Sequence, residues 1–272
     1  MAVCTYLDCI NWINLWYTKI HKNKQKATKM RKIQIIYGLH SVKAALLNSK
    51  RVHSELILNE NIKFPIEHFK TKIGKISILD NNKFKKNYGN EQSTQGIVLK
   101  TEDFKRPSLE EFIKNQNNKE KSVIIALDQI TDPQNIGSIM RSCALFNCGA
   151  MISSKDNSPE LTPSLLKAAS GAAEMVNFYK VTNLRRSISN FKRNGYWIYC
   201  FDSSDNNNTS DISFERKSVL VFGSEGKGVR NLIKKECDIF VKLKMENISK
   251  FNIDSLNVSN ATSIALYEFY KK

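Results

Sequence analysis

Apolar runs of strand length alternate with helical patterns over residues 121–272. The first run, Ser122 to Leu127, is apolar at nearly every position, which is typical of a parallel strand buried on both faces. Further strands are predicted at Ala150–Ile152, Trp197–Phe201, Val219–Phe222 and Ile239–Leu243, and helices at Gly137–Phe146, Pro163–Ala168, Leu184–Arg193 and Ala261–Tyr270. This alternation predicts an α/β domain with a parallel sheet.

A smaller α/β domain is predicted for residues 33–100. Its pattern contains a strand from Ile33, a helix at His40–Asn48 and later strands at Glu55–Leu58, Ile76–Leu79 and Gly96–Leu99. The three lysines before the last strand are expected in a loop: Lys83, Lys85 and Lys86. Residues 101–120 are charged, contain Pro107 and end in a polar tract, so we predict a linker with a short helix there.

Residues 1–32 form an N-terminal extension of unknown role. Asp8 and several asparagines make this segment a poor secretory signal, and an organellar presequence stays open. Met30 nearly adjoins the first patterned strand, so a mis-assigned start and a genuine extension are equally good interpretations.

The net charge of +16 indicates a polyanionic partner, because clustered cations gain affinity by releasing counterions from phosphates. Lysine outnumbers arginine by 33 to 9, an excess that an AT-rich genome would also produce. The charge is nevertheless uneven. Residues 31–100 hold 13 basic and 5 acidic side chains, whereas residues 121–272 hold 20 and 15. The first block is therefore expected to hold RNA.

Histidine and cysteine usage excludes several classes of site. All four histidines precede residue 69, so neither a Ser-His-Asp triad nor a His-ligated metal is expected in residues 121–272. The six cysteines form no C-x-x-C pair, which predicts free thiols, a cytoplasmic location and no zinc. No apolar run approaches the roughly 18 residues that span a bilayer, so no membrane association is expected.

A polar turn follows the strand that ends at Leu127 and leads into a helix containing Arg141. The turn reads DQITDPQNIG from Asp128, and Asn135 is placed to cap the helix. Arg141 shares a helix face with Ser138. It is therefore expected to point into the crevice beyond the strand ends, where ligands of open α/β sheets bind.

Two further polar segments follow predicted strands. The glycine-dense loop Gly223–Gly228 has neither G-x-G-x-x-G nor Walker A spacing, so it does not indicate a dinucleotide or nucleoside triphosphate site. The segment Asp254–Thr262 carries small and amide side chains and opens the last helix. Because these turns lie on the carboxyl side of strands, the three polar segments predict a single pocket.

These segments resemble the signature motifs of the SpoU (TrmH) family of RNA 2'-O-ribose methyltransferases. They read D-P-x-N-x-G-x-x-x-R from Asp132, V-F-G-S-E-G-x-G from Val221 and S-L-N-V-S-x-A from Ser255, in this order. The resemblance implies a SPOUT-type catalytic domain at 121–272, with a parallel sheet and a deep trefoil knot. Such a knot is an exception to the rule against threaded chains.

The N-terminal block has its own counterpart in the family. Tyr37–Val42 and Gln95–Val98 are similar to the two ends of a ribosomal-protein-L30e-like substrate-binding domain. This similarity implies the branch that methylates a guanosine of 23S rRNA, although that branch commonly has a histidine where this chain has Thr94. A tRNA ribose methyltransferase of the same family is the alternative. A non-catalytic RNA-binding ribosome-assembly protein is a third interpretation.

The family motifs also imply the residues of the site. S-adenosylmethionine would be held around three positions: Gly223, Leu243 and Leu256. The catalytic site would consist of Arg141, with Asn135, Glu225, Ser255 and Asn257 shaping it. The family usually has I-P-M before its third motif, whereas this chain has Leu243-Lys244-Met245 and a longer polar insert.

Physical chemistry restricts the role of Arg141. A guanidinium has a pKa above about 12 and is a poor base. We therefore expect Arg141 to bind the target phosphate and stabilise a developing alkoxide, with a deprotonated arginine as the alternative. Glu225 is expected either to partner the cofactor or an arginine, or to lie at the start of a helix near Val229. The resemblance also implies a homodimer in which Arg141 serves the partner's pocket.

Overall fold

A computed structural model of the chain describes residues 33–89, 94–156, 158–202, 213–245 and 255–271. The extension at 1–32 and the polar insert after Met245 lie outside the described residues. The described chain forms two sheets, each flanked by helices. None of its described helices combines the length and the apolar character that crossing a membrane requires.

The N-terminal unit is built on a four-stranded mixed sheet with the strand order β1-β4-β2-β3. Strand β4 pairs antiparallel with β1 and β2, whereas β2 and β3 are parallel. The elements are β1 (Ile33–Tyr37), α1 (Leu39–Leu47), β2 (His53–Asn59), β3 (Ile73–Leu79), α2 (Asn81–Tyr88) and β4 (Ile97–Glu102). Two short 3-10 turns, Ile66–His68 and Lys70–Lys72, precede β3.

The loop predicted around Lys83 is a helix, α2. Asp80 caps it by accepting a hydrogen bond from the Lys83 amide at 2.9 Å, and Gly89 ends it with a φ of 85°. Phe84 is the buried side chain of this helix, so its lysines, Lys83, Lys85 and Lys86, face solvent. The prediction was wrong because one buried phenylalanine gives almost no hydrophobic period.

The C-terminal unit contains a six-stranded, fully parallel sheet with the order β10-β8-β9-β5-β6-β7. Its strands are β5 (Ser122–Asp128), β6 (Ala150–Ser154), β7 (Asn177–Val181), β8 (Trp197–Phe201), β9 (Lys217–Gly223) and β10 (Ile239–Val241). Its helices are α3 (Leu109–Gln116), α4 (Pro133–Leu145), α5 (Pro163–Ala168), α6 (Leu184–Arg193), α7 (Asn231–Lys234) and α8 (Val258–Lys271).

Both faces of this sheet are covered, as the apolar run at 122–127 predicts. Along β5, Ile125 and Leu127 belong to the core shared with α4, α5 and α8, whereas Ile124 and Ala126 face α3, α6 and α7. Strand β7 was missed because its position at the sheet edge leaves every one of its residues half-buried.

The two units pack directly against each other. Ser41 of α1 donates a hydrogen bond to the carbonyl of Leu166 at 2.8 Å. Gln95 accepts one from the Leu39 amide at 2.9 Å, so the two motifs that resemble the ends of the substrate domain meet at the start of α1. The apolar core runs without interruption from the first unit into the second.

A buried ion pair also joins the units. The Arg51 side chain is 0% exposed, and its Nε donates to Oε2 of Glu174 at 2.7 Å. The same carboxylate oxygen accepts from Nδ2 of Asn48 at 2.6 Å. Glu174 is therefore the carboxylate through which the C-terminal unit contacts two polar side chains of the first unit.

We expect Glu174→Ala to destabilise the protein by about 3–5 kcal/mol, because it leaves a buried guanidinium with only the more distant carboxylate of Asp103, at 4.0 Å. The urea midpoint measures this change. Glu120→Ala is the matched control, since its pair with Arg216 is exposed on both sides and should contribute less than about 1 kcal/mol. Equal midpoints for the two variants would contradict the assigned role of Glu174.

Candidate active site

Helix α4 begins one turn earlier than predicted, and Asn135 is not its cap. Asp132 is the cap, with its carboxylate accepting from the amides of Gln134 at 3.0 Å and Asn135 at 3.3 Å. Pro133 follows at the first helical position, where its missing N–H costs nothing. The Asn135 side chain is consequently available for a contact elsewhere.

That contact is with Asn257, which joins three distant segments. Its Nδ2 donates to Oδ1 of Asn135 at 2.9 Å and to Oε1 of Glu225 at 3.1 Å. Its Oδ1 accepts from the amide of Ser259 at 2.9 Å and from the Ser259 hydroxyl at 2.6 Å. One amide group thus links the start of α4, the glycine loop and the start of α8.

A cavity of about 270 Å³ lies beside this network. The three predicted cofactor positions line it: Gly223, Leu243 and Leu256. Glu225 and Ser255 also line it, while its apolar wall includes Phe201, Val241, Val258 and Ala261. The cavity lies beyond the carboxyl ends of β8, β9 and β10, as expected for a ligand of an open parallel sheet.

The glycine loop packs too tightly for a side chain at Gly223. A Cβ there would lie 2.1 Å from the carbonyl carbon of Gly228, far inside van der Waals contact. The turn is closed by a hydrogen bond from the Gly228 amide to the Ser224 carbonyl at 2.9 Å, and Gly226 and Gly228 have φ of 82° and 63°. The three glycines of the loop line the cavity, so no side chain at these positions separates a ligand from the backbone.

Arg141 does not line the described cavity of its own chain, so the expectation that it points into the crevice beyond the strand ends is wrong. Its expected role in the pocket of a partner subunit stays a prediction. It lies on the solvent face of α4 with Ser138, opposite the buried Met140 and Cys143. Its guanidinium makes no ion pair or hydrogen bond to the described residues. The helical period correctly predicted that Arg141 and Ser138 share a face of α4. That face is exposed to solvent and does not point into the cavity of the same chain.

Glu225 is not the carboxylate of a helix N-terminus. Helix α7 begins at Asn231 and has no acidic residue in its first turn. The alternative in which Glu225 stabilises a helix near Val229 is therefore wrong. Glu225 instead lines the cavity and accepts from Asn257.

The family model that describes the SpoU rRNA Methylase family matches residues 122–267, more than half of the chain. This chain is a member of the SpoU family. A Staphylococcus epidermidis protein named as a TrmH family tRNA/rRNA methyltransferase is 31% identical to this chain over 241 residues. The match covers 88% of this chain and 95% of that protein. The prediction of the family is confirmed, and S-adenosylmethionine is the methyl donor of this family.

Solved structures show the shared fold of this SpoU methylase. The AdoMet-bound rRNA methyltransferase from Sinorhizobium meliloti superposes with a TM-score of 0.72 at 18% identity, covering 93% of this chain and 90% of that one. A structure solved to study 2-OH methylation of C/U34 on tRNA gives a TM-score of 0.50 at 21% identity, covering 56% and 96%. The predicted α/β fold with a parallel sheet is confirmed.

One ion pair of this SpoU methylase was not predicted from the sequence. Asp128, fully buried at the end of β5, accepts from Arg230 through Nη2 at 2.6 Å, Nε at 2.9 Å and the backbone amide at 2.9 Å. This carboxylate raises the pKa of Arg230. The pair fixes the far end of the glycine loop to the central strand. An aspartate ending a buried strand was the available signal.

Proposed function

We propose that this SpoU methylase transfers a methyl group from S-adenosylmethionine to the ribose 2'-hydroxyl of a guanosine in 23S rRNA, in the cytoplasm. The observation that carries the proposal is the Asn257 network. It brings together three motif segments, two of them 122 residues apart, at the cavity where the cofactor positions converge.

The described cavity fits S-adenosylmethionine in its chemistry. Its volume of about 270 Å³ is close to the lower end of small-molecule pockets, about 300 Å³. Val241, Leu243 and Leu256 offer apolar contacts for a purine, and the glycine loop offers backbone groups. Glu225 and Ser255 supply polar groups for the hydroxyls and the amino-acid part of the ligand.

When bound, S-adenosylmethionine supplies an electrophilic methyl group and leaves as a neutral thioether. The residues of this chain contribute positioning, which can provide much of the rate acceleration. Asn257 and Glu225 hold the glycine loop against α4. Arg141 binds the phosphate of the target nucleotide and stabilises the negative charge that develops on the 2'-oxygen.

The exposure of Arg141 and the apolar patch beside it support the proposal of a homodimer. This patch consists of Leu145, Phe146, Ile264, Tyr267 and Tyr270, on α4 and α8. Leu145 is 75% exposed and Tyr270 61%, a large apolar exposure for adjacent helices. We propose that a second copy covers the patch, so that Arg141 reaches the cavity of the partner subunit.

We also propose that the C-terminal unit is knotted in the SPOUT manner and that the N-terminal unit is an L30e-like substrate domain. Family membership supports the first proposal, because the matched region spans β5 to α8. The mixed four-stranded sheet supports the second, since the two motifs similar to the ends of such a domain meet beside α1.

The N-terminal unit favours rRNA over tRNA as the substrate. The rRNA methyltransferase fold matches 93% of this chain, whereas the fold from the tRNA study matches 56%, about the length of the C-terminal unit alone. The proposed substrate therefore engages both units.

Mapping of 2'-O-methylated nucleotides in total RNA, with and without the gene, tests this function. We expect one 23S rRNA guanosine to lose its methyl group when the gene is removed and to regain it when the wild-type gene is restored. Changes confined to tRNA would select the alternative substrate. An unchanged methylation map, together with no binding of S-adenosylmethionine in calorimetry, would select the non-catalytic interpretation.

A further inference from the structure

The outer face of helix α6 carries a polar stripe that runs along the helix. Asn183, Arg186, Asn190 and Arg193 are spaced three or four residues apart, so they lie on one side. Two surface concavities of about 600 and 630 Å³ flank this stripe and share Asn183, Arg186 and Arg193 in their walls. The stripe is a ridge between two grooves.

The ridge is the part of this surface where positive charge is left unneutralised. Around it, Lys180 pairs with Glu160 at 3.0 Å, Arg185 with Glu236 at 2.6 Å and Lys192 with Asp238 at 2.5 Å. Both ridge arginines, Arg186 and Arg193, are exposed and have no ion pair within the part of the chain that the structure describes.

Helix α6 is richer in arginine, relative to lysine, than the rest of the chain. Lysine outnumbers arginine by 33 to 9, yet α6 holds three of the nine arginines. A general lysine excess does not account for this concentration. Arginine differs from lysine in presenting a planar fork that binds phosphate through two hydrogen bonds.

The position of α6 relates the ridge to the cavity. All six strands are parallel, so α6 begins on the side of the sheet where the strands have their carboxyl ends, which is also the side of the cavity. Strand β7, which precedes α6, is three strands away from β9, which ends at Gly223. At about 4.8 Å a strand, the start of α6 is roughly 15 Å from the strand end at Gly223, a span of a few nucleotides of an extended RNA strand. The ridge continues from there along α6 to Arg193, just before β8.

We propose that the α6 ridge binds the phosphate backbone of the substrate RNA, a few nucleotides from the nucleotide that is methylated. This proposal rests on the proposed function. In this proposal the C-terminal unit contacts the RNA itself, in addition to the basic N-terminal unit. The ridge arginines position the RNA without reading the bases.

The test compares the double variant Arg186→Ala/Arg193→Ala with the charge-matched control Lys119→Ala/Arg216→Ala. The control residues are exposed, do not belong to the ridge, and lie just before β5 and β9. Steady-state methylation of 23S rRNA and filter binding at several salt concentrations provide the readouts. For the ridge variant we expect KM for RNA to rise about tenfold with kcat unchanged. The slope of log affinity against log salt should fall by about 1.4–1.8.

Affinity for S-adenosylmethionine and the melting temperature should match the wild type in both double variants. Arg186→Lys/Arg193→Lys should restore most of the salt slope but only part of the affinity. A ridge variant with wild-type KM and salt slope, in preparations that methylate RNA normally, would overturn the ridge proposal alone. If the wild-type protein methylates no RNA but the salt slope still falls, the proposed function fails and the ridge remains an RNA-binding surface.

Discussion

Arg141→Lys is expected to lower methyl transfer by about 100- to 1,000-fold while the affinity for S-adenosylmethionine stays within about twofold of the wild type. The ammonium keeps the charge but loses the planar fork, so it cannot hold a phosphate and the developing alkoxide together. Cofactor binding is preserved because Arg141 is exposed and absent from the lining of its own cavity. Single-turnover transfer to 23S rRNA and calorimetric titration measure the two effects separately.

Arg216→Lys is the control for this substitution, because Arg216 is also exposed and lies just before β9, outside the candidate site. Its transfer rate should equal that of the wild type. Near-normal transfer by Arg141→Lys would refute the assigned mechanism and leave the family membership intact. In a mixture with a second variant that cannot bind cofactor, Arg141→Lys should recover activity, because each mixed dimer of the proposed kind then offers one intact composite site.

Gly223→Ala should reduce the affinity for S-adenosylmethionine at least about 100-fold and lower stability by about 1–3 kcal/mol. The added Cβ would meet Gly228 at 2.1 Å and the Val229 nitrogen at 2.3 Å, both backbone atoms that cannot rotate away. The loop must therefore open, which displaces the cavity wall that is proposed to hold the cofactor. Equilibrium dialysis and urea unfolding measure the two effects.

Gly195→Ala provides the comparison for Gly223. Gly195 has a φ of 81°, so alanine there carries backbone strain, but a Cβ would meet nothing within 4 Å. Its stability should fall by about 1 kcal/mol with unchanged cofactor affinity. If Gly223→Ala binds cofactor as tightly as this control, the packing of Gly223 on Gly228 is not what shapes the cavity.

Elements with a single dominant pattern were predictable, and elements with a mixed pattern were not. Ser122–Leu127 was correct because burial on both faces leaves an unbroken apolar run. Strand β7 and helix α2 were missed because each buries too little to show a period. The capping signals of α2, Asp80 and Gly89, were nevertheless readable in the sequence.

At the site, motifs predicted which residues converge but not which way they face. The convergence of Asn135, Glu225 and Asn257 followed from their positions at the ends of parallel strands. The outward direction of Arg141 and the pairing of Asp128 with Arg230 depend on packing between distant segments. No local pattern encodes such packing, so these features required the structure.

Helix α8 belongs to two surfaces at once. Val258 and Ala261 near its start line the cavity, whereas Ile264, Tyr267 and Tyr270 belong to the apolar patch proposed to meet a second copy. Because one helix carries both surfaces, we expect ligand binding at its start and contact on the patch to be energetically coupled. Because coupling free energies are reciprocal, cofactor would strengthen subunit association by the same factor by which association strengthens cofactor binding. At low protein concentration, the apparent dissociation constant of S-adenosylmethionine should therefore depend on how much protein is present.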